Sequence, residues 1–372
     1  MDAIAVDGDA AKQNITIFWA RGTELTMQNS LPQHIIKARS QFPRGLEQPE
    51  GSLRFGADAL LLAAFAARCL PPKKQTPGAA NGTPLVVAEL GCGCGAALLG
   101  LAMRYPYIFG LGLEREKPLV QAAMNNAALL GLSDQLHFVG LDLADKASLS
   151  ALRVPAQLSA PMQPCADSSP NHKADADTEP QQNLVQPACN RLDMVMANPP
   201  YDRKGRPSGK SMREHALRDV CATDGDKTAL DTFCRAAATL LRHQGRFFCI
   251  YDAPALPRLC VALNAAGLGV RRILPVQPRK GEPALRVLVE ARKNAAHDTV
   301  LETPLILHDV PDSSATPGTL GTLGAPKSTG AAGLPDATHR AGPSWSAEAL
   351  TFCSWLGPAP SSSTADNAFT AL

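Results

Sequence analysis

The sequence has no repeated Cys-x-x-Cys pair, no apolar run approaching membrane-spanning length, and almost no net charge. Each absence narrows the reading. The ten cysteines are scattered, which fits a reducing compartment better than a disulfide scaffold. The opening residues lack a signal-peptide pattern and no segment could cross a bilayer as a helix, so the expected compartment is the cytoplasm, with no membrane partner. Thirty-six Lys and Arg against 34 Asp and Glu leave +2. That is too little to announce a nucleic-acid binder by total charge, so any such argument must rest on where the charges cluster.

What is present is patterned. Bulky apolar residues concentrate in part of the 372-residue chain, which predicts one core with appendages rather than two domains. Residues 1–48 read as an irregular arm, although Ile15 to Trp19 alternates enough for a short strand. Residues 49–309 read as a single domain. Within it, 153–190 is rich in Pro, Ser, Ala, Gln and Asp and cannot bury enough apolar surface to offset its ordering entropy, so a disordered insertion is expected there. Residues 310–372 are dominated by Pro, Gly, Ser, Thr and Ala and read as a low-complexity tail. A monomer is the expected state.

Inside the domain, apolar strands alternate with helices. Residues 85–90 form a run without polar alternation, the mark of a parallel strand covered on both faces. A helix over 96–104, a strand over 108–113, a helix over 117–130 stopped at Gly131 and a strand over 136–140 follow. The pattern resumes with strands at 192–197 and 246–251 and helices at 228–241 and 254–266, and closes with strands near 270–276 and 284–291. Repeated βαβ units predict a doubly wound, mostly parallel sheet of α/β class.

Two motifs carry chemistry. Glu89-Leu90-Gly91-Cys92-Gly93-Cys94-Gly95 joins the first strand to its helix. Gly91, Gly93 and Gly95 let the backbone turn and approach a ligand without a Cβ in the way, and the helix start favours an anion. That anion could be a dinucleotide pyrophosphate or the carboxylate of S-adenosylmethionine, with Glu89 then near the ammonium; the glycines alone do not separate the two. Glu114, at the carboxyl end of the second strand, is placed for two ribose hydroxyls, and Asp142 occupies the corresponding place after the third, where methyltransferases commonly put an acid against the adenine amino group. Cys92 and Cys94 have no partner pair at zinc-site spacing, so no metal is expected.

The second motif is Asn198-Pro199-Pro200-Tyr201, after the apolar strand 192–197. In a doubly wound sheet it falls at the carboxyl edge, where ligands collect. The Asn198 side-chain oxygen and the Pro199 carbonyl can accept hydrogen bonds from a planar N–H₂, favouring a pyramidal nitrogen whose lone pair is exposed for attack on a methyl group. The two prolines stiffen the backbone, and Tyr201 offers a face for a planar group. An adenine amino group or a glutamine amide would both fit.

With these pieces in place, the chain resembles the class I S-adenosylmethionine-dependent methyltransferases and, among them, is similar to the tRNA1(Val) adenine-37 N6-methyltransferase family. The likeness covers about 53–309 without the insertion. It rests on Arg54-Phe55-Gly56-Ala57-Asp58-Ala59-Leu60-Leu61-Leu62, the two motifs above, and the late stretch from Gln277 to Glu290 containing Arg279, Lys280 and Gly281. It implies a Rossmann-like, seven-stranded sheet with an antiparallel last strand, S-adenosyl-L-methionine as cofactor, Phe55 and Asp58 in a segment closing over it, and methylation of adenine N6 in tRNA. The basic loop after the corner, with Arg203, Lys204, Arg206 and Lys210, and Arg279 and Lys280 beyond it, would meet RNA phosphates. The arm, the insertion and the tail depart from the family pattern. Alternatives are a protein-glutamine methyltransferase of the release-factor type, an rRNA or DNA amino-methyltransferase, and a noncatalytic RNA-binding module.

Overall fold

The computed structural model describes residues 31–70, 84–155, 185–201, 228–309 and 344–358. The expected alternation forms. Helix α1 (Gln33–Gln41) and helix α2 (Ala57–Cys69) precede strand β1 (Leu85–Leu90). Then come α3 (Ala96–Arg104), β2 (Ile108–Glu114), α4 (Lys117–Leu129), β3 (Leu136–Gly140) and α5 (Lys146–Ala151). Strands β4 (Arg153–Pro155) and β5 (Val185–Pro187) lead to β6 (Leu192–Ala197), α6 (Ala229–Leu240), β7 (Leu241–Asp252) and α7 (Leu256–Ala265). The chain continues through β8 (Leu268–Gln277), β9 (Arg286–Lys293), the two-residue strands β10 (Val300–Leu301) and β11 (Leu305–Ile306), and α8 (Ala347–Phe352).

One sheet organises these elements. Its order is β10-β8-β9-β7-β6-β1-β2-β3, with β11 also pairing β8. Strands β3, β2, β1, β6 and β7 run parallel, and β9 lies antiparallel between β7 and β8. This is the doubly wound, Rossmann-like sheet with an antiparallel last strand expected of the class I methyltransferase fold. The sheet has nine strands rather than seven, because β10 and β11 add short parallel pairs along the outer edge of β8. Chain order reverses at β1, where β2 lies on one side and β6 on the other. Ligands collect at such switch points.

Both faces are covered, as the unbroken apolar strands require. Helices α2, α3 and α4 pack on one face with Val87, Met194, Phe248 and Leu288, whereas α6 and α7 cover the other with Val86, Val195, Phe247 and Val289. Neighbouring strand residues thus feed opposite layers.

Four stretches differ from the sequence reading. Residues 33–41 of the arm are helical, while the strand expected near Ile15 lies outside the described residues. Strand β7 begins at Leu241, five residues before the expected start at 246; Gln244 has φ 60° and a Cβ on Gly245 would lie 3.0 Å from the Leu192 carbonyl, so a tight crossing hides its first half from period counting. The ends of the insertion are ordered: β4 pairs antiparallel with β5, and Ala188 N–H donates to the Leu152 carbonyl at 2.9 Å. Finally, residues 344–358 of the expected tail dock on the core. Ser346 caps α8 through the Ala349 N–H at 3.0 Å, Cys353 is fully buried, and Trp355 meets Phe42 edge-on at 5.0 Å and lies under the Arg104 guanidinium at 4.3 Å. Averaged composition concealed this apolar cluster, because the Gly- and Pro-rich sequence around it dilutes the signal.

Candidate active site

The cradle forms where β1 ends. Gly91, Gly93 and Gly95 all have left-handed φ, 62°, 56° and 86°, a conformation that would strain any residue with a Cβ. Their surroundings differ. A Cβ on Gly91 would lie 2.9 Å from Phe233 Cζ, and one on Gly95 3.1 Å from Phe138 Cε1, whereas one on Gly93 would meet nothing within 4 Å. Among the described residues a Cβ at Gly93 thus has room above the half-buried backbone, as a ligand cradle requires, while Gly91 is itself exposed. The Gly95 N–H donates to the Cys92 carbonyl at 2.8 Å, which closes the turn just before α3.

Two carboxylates hold the loop. Glu89 is buried, and its Oε2 accepts from the Leu98 N–H of α3 at 2.8 Å. Burial pushes its pKa up to about 8, aided by the charge of Glu114 and opposed by the Leu98 bond. Glu114 ends β2, and its two oxygens accept from the Gly93 and Glu116 N–H groups, each at 2.9 Å. Burial raises its pKa, with those backbone bonds working the other way. Across the ladder the Glu114 carbonyl accepts from Leu141 N–H at 2.9 Å, which draws the loop bearing the exposed Asp142 towards it; Asp142 Oδ1 in turn accepts from Ala144 N–H. Asn126 of α4 ties the cradle to the segment before α2 by donating to the Cys94 and Glu47 carbonyls and accepting from Glu47 N–H. Burial also raises the Cys92 and Cys94 thiols, Cys94 to about 12. Among the described residues no three His, Cys, Asp or Glu side chains are grouped to hold a metal ion.

The corner lies beside the cradle. Leu90 pairs with Ala197, so Gly91 and Asn198 are the residues that follow directly on two paired strand ends. Asn198 Oδ1 accepts from the Tyr201 hydroxyl at 2.7 Å, and that hydroxyl also lies 3.2 Å from Asp58 Oδ2. Burial raises the Tyr201 pKa, and the Asp58 charge adds to it. Two cross-strand neighbours that the sequence reading missed complete the arrangement. Arg286 of β9, paired with Asp252 of β7 in register, donates from Nε to Asp58 Oδ2 at 3.0 Å and from Nη1 to Asp252 Oδ1 at 2.7 Å. Its guanidinium lies over the Tyr201 ring, 4.6 Å from the centroid, while Tyr251 meets that ring edge-on at 5.4 Å. Burial opposes the Arg286 cation, but Asp58, Tyr201 and Asp252 outweigh it and raise its pKa.

Phe233 of α6, against Gly91, is the third missed neighbour. Its only sequence signal is a place on the helix after the corner. Asp252 could have been flagged, because it closes a parallel strand at the carboxyl edge. Phe55 is half-buried against the α2 side of the core, its N–H donating to Gln48 Oε1 at 3.2 Å. Arg279 pairs with Glu282 at 3.3 Å in the turn between β8 and β9, beside the exposed Lys280. Arg203, Lys204, Arg206 and Lys210 lie outside the described residues.

No family model and no curated protein matches the sequence. Solved structures similar to the chain include a predicted O-methyltransferase from Agrobacterium tumefaciens, 20% identical, covering 70% of this chain and 92% of that one with a TM-score of 0.44. Others are a ribosomal protein L11 methylase from Lactobacillus delbrueckii subsp. bulgaricus (14%, 67% and 85%, 0.39) and a putative RNA methyltransferase from Pyrococcus horikoshii (14%, 70% and 94%, 0.37). No helix among the described residues is long and apolar enough to cross a membrane.

Proposed function

We propose that the protein is a cytoplasmic S-adenosylmethionine-dependent methyltransferase that acts on the N6 amino group of adenine in RNA, with tRNA as the substrate and tRNA processing as its role. The observation that carries this reading is that Asn198 and the Gly91-Gly93 cradle follow directly on the paired ends of two adjacent strands, Ala197 and Leu90. Gly93 borders open space and Glu114 stands fixed at the end of the next strand, so the residues fit the cofactor. Gly91, Gly93 and Gly95 would take its carboxylate end with Glu89 behind them, Glu114 its ribose and Asp142 its adenine, with Phe55 and Asp58 in the segment closing over it.

When bound, the cofactor supplies an electrophilic methyl carbon on sulfur. The chain supplies the acceptor's geometry. Asn198 Oδ1 and the Pro199 carbonyl accept from the substrate N–H₂, which directs its lone pair towards the cradle, and Pro199 and Pro200 keep that carbonyl from turning away. Tyr201 borders the planar ring. As the acceptor nitrogen takes the methyl group, the carbon–sulfur bond would break to leave a neutral thioether and the nitrogen's surplus proton would pass to water, so the chemistry asks for no strongly basic side chain. Arg279 and Lys280, with Arg203, Lys204, Arg206 and Lys210, supply the positive charge that RNA phosphates require.

The test is direct. Labelled cofactor is incubated separately with total tRNA, total rRNA and a release factor, and the modified unit is identified after digestion. Label in N6-methyladenosine from tRNA is the expected result; methylglutamine, or no transfer to any of the three, refutes the proposal. Asn198→Ala should abolish transfer with cofactor affinity nearly intact, and a fully active variant would refute its role.

A further inference from the structure

Five side chains from four distant parts of the sequence form one chain of contacts at the corner: Asp252, Arg286, Asp58, Tyr201 and Asn198. Asp252 ends β7 and Arg286 opens β9 directly opposite it, Asp58 sits in the first turn of α2, and Tyr201 and Asn198 belong to the loop after β6. Arg286 makes two kinds of contact at once. Its Nε and Nη1 each donate to a different carboxylate, which fixes the guanidinium plane, and that plane covers the Tyr201 ring. A lysine could satisfy one carboxylate but could not present a flat, rigid cation to the ring. The Arg286 side chain is 18% exposed and that of Asp58 27%, so both partners are partly withdrawn from water, where such contacts are screened less.

From this geometry we infer that Arg286 and Asp58 are positioning residues for the Asn198 amide. They hold the Tyr201 ring in one plane, and the Tyr201 hydroxyl, donating to Asn198 Oδ1 at 2.7 Å, fixes the direction in which that oxygen points. A carbonyl oxygen has a second lone pair, so the substrate amino group still finds an acceptor, already aimed. The amide would otherwise rotate about its side-chain torsions, and a misplacement of about 1 Å in such a group costs roughly 100-fold in rate. The inference rests on the proposed role of Asn198 in holding a planar N–H₂. It adds that this role depends on a cation three contacts away and that the Asp58 carboxylate serves the corner.

Two measurements separate this inference from the functional proposal. The first needs no substrate. Side-chain amide signals of ¹⁵N-labelled protein are recorded, with that of Asn198 identified by its loss in Asn198→Ala. Arg286→Met, Asp58→Asn and Tyr201→Phe should each shift or broaden the signal, Arg286→Lys less than Arg286→Met, while the midpoint of thermal unfolding stays within a few degrees. An unmoved signal in Arg286→Met and Asp58→Asn overturns the inference, whatever the substrate proves to be. The second is a single-turnover methyl-transfer rate with whichever acceptor the wild-type protein accepts. Arg286→Met and Asp58→Asn should each lower it by roughly 10- to 100-fold at saturating cofactor, Arg286→Met with cofactor affinity within threefold of wild type, and the double variant should be no slower than the slower single one, because the residues act as a unit. Independent, multiplying losses, or an unchanged rate at saturation in Arg286→Met, overturn it.

Discussion

Gly93→Ala tests the cradle with an internal control. Gly93 and Gly267 share a left-handed backbone, φ 56° and 72°, and among the described residues a Cβ clashes at neither: nothing lies within 4 Å of the one at Gly93, and the nearest atom to the one at Gly267 is Asn294 Oδ1 at 3.9 Å. The strain of alanine in that conformation is about 1 to 2 kcal/mol at either position. For an ordered core of this size each kcal/mol lowers the unfolding midpoint by about 2 to 4 °C. Both variants should therefore melt a few degrees lower and by similar amounts. They differ in what the methyl group faces. At Gly267 it faces the turn between α7 and β8, away from the carboxyl edge, whereas at Gly93 it enters the space above the loop held by Glu114. Losing a hydrogen bond to a charged ligand group costs about 1.5 to 3 kcal/mol, which is a roughly 10- to 100-fold weaker dissociation constant. Calorimetric titration with S-adenosylmethionine reads this at a temperature where both variants are folded. Wild-type affinity in Gly93→Ala, or an equal loss in Gly267→Ala, would refute the assignment of that open space to the cofactor.

Two further outcomes are expected. Glu89 has its pKa raised from 4.5 to about 8 by burial, so the folded state binds its proton more tightly than the unfolded chain does. Its stabilising contribution is complete below about pH 4.5 and is lost as pH rises through 8, amounting to a few kcal/mol as an order of magnitude; urea unfolding at pH 5, 7 and 9 should show wild type losing ground to Glu89→Gln as pH rises, and a pH-independent difference between the two would contradict this. Trp355→Ala removes the ring between Phe42 and Arg104 and should cost about 2 kcal/mol, less than for a fully buried aromatic residue; an unchanged denaturant midpoint would mean that residues 344–358 contribute nothing to the stability of the core.

The sequence made some of this legible and hid the rest for identifiable reasons. Strands covered on both faces, such as Val86 to Leu90, advertise themselves as apolar runs, and glycines at fixed spacing announce a turn that needs left-handed backbone. Glu114 was findable because a strand end is a sequence position. Arg286 was not, since its meaning depends on β9 lying antiparallel between β7 and β8, a pairing between segments that no local period encodes. The same holds for Phe233, which reaches Gly91 only because α6 packs back across the sheet. Helix α8 was missed for the opposite reason. Six helical residues amid Gly- and Pro-rich neighbours are too few to establish a period, and what holds them is the core: Cys353 Sγ donates to the Leu60 carbonyl, and Arg104 Nη1 to the Phe352 carbonyl at 3.2 Å.

The short ladder of β4 and β5 bears on how many residues can lie between them. Because the chain departs at Pro155 and returns at Val185 through strands that are hydrogen-bonded to each other, the two stubs form a socket whose mouth stays the same whatever is plugged into it. Lengthening a loop costs free energy only logarithmically. A change in the number of residues between the two stubs would therefore leave Leu192–Ala197 in register at little cost in free energy.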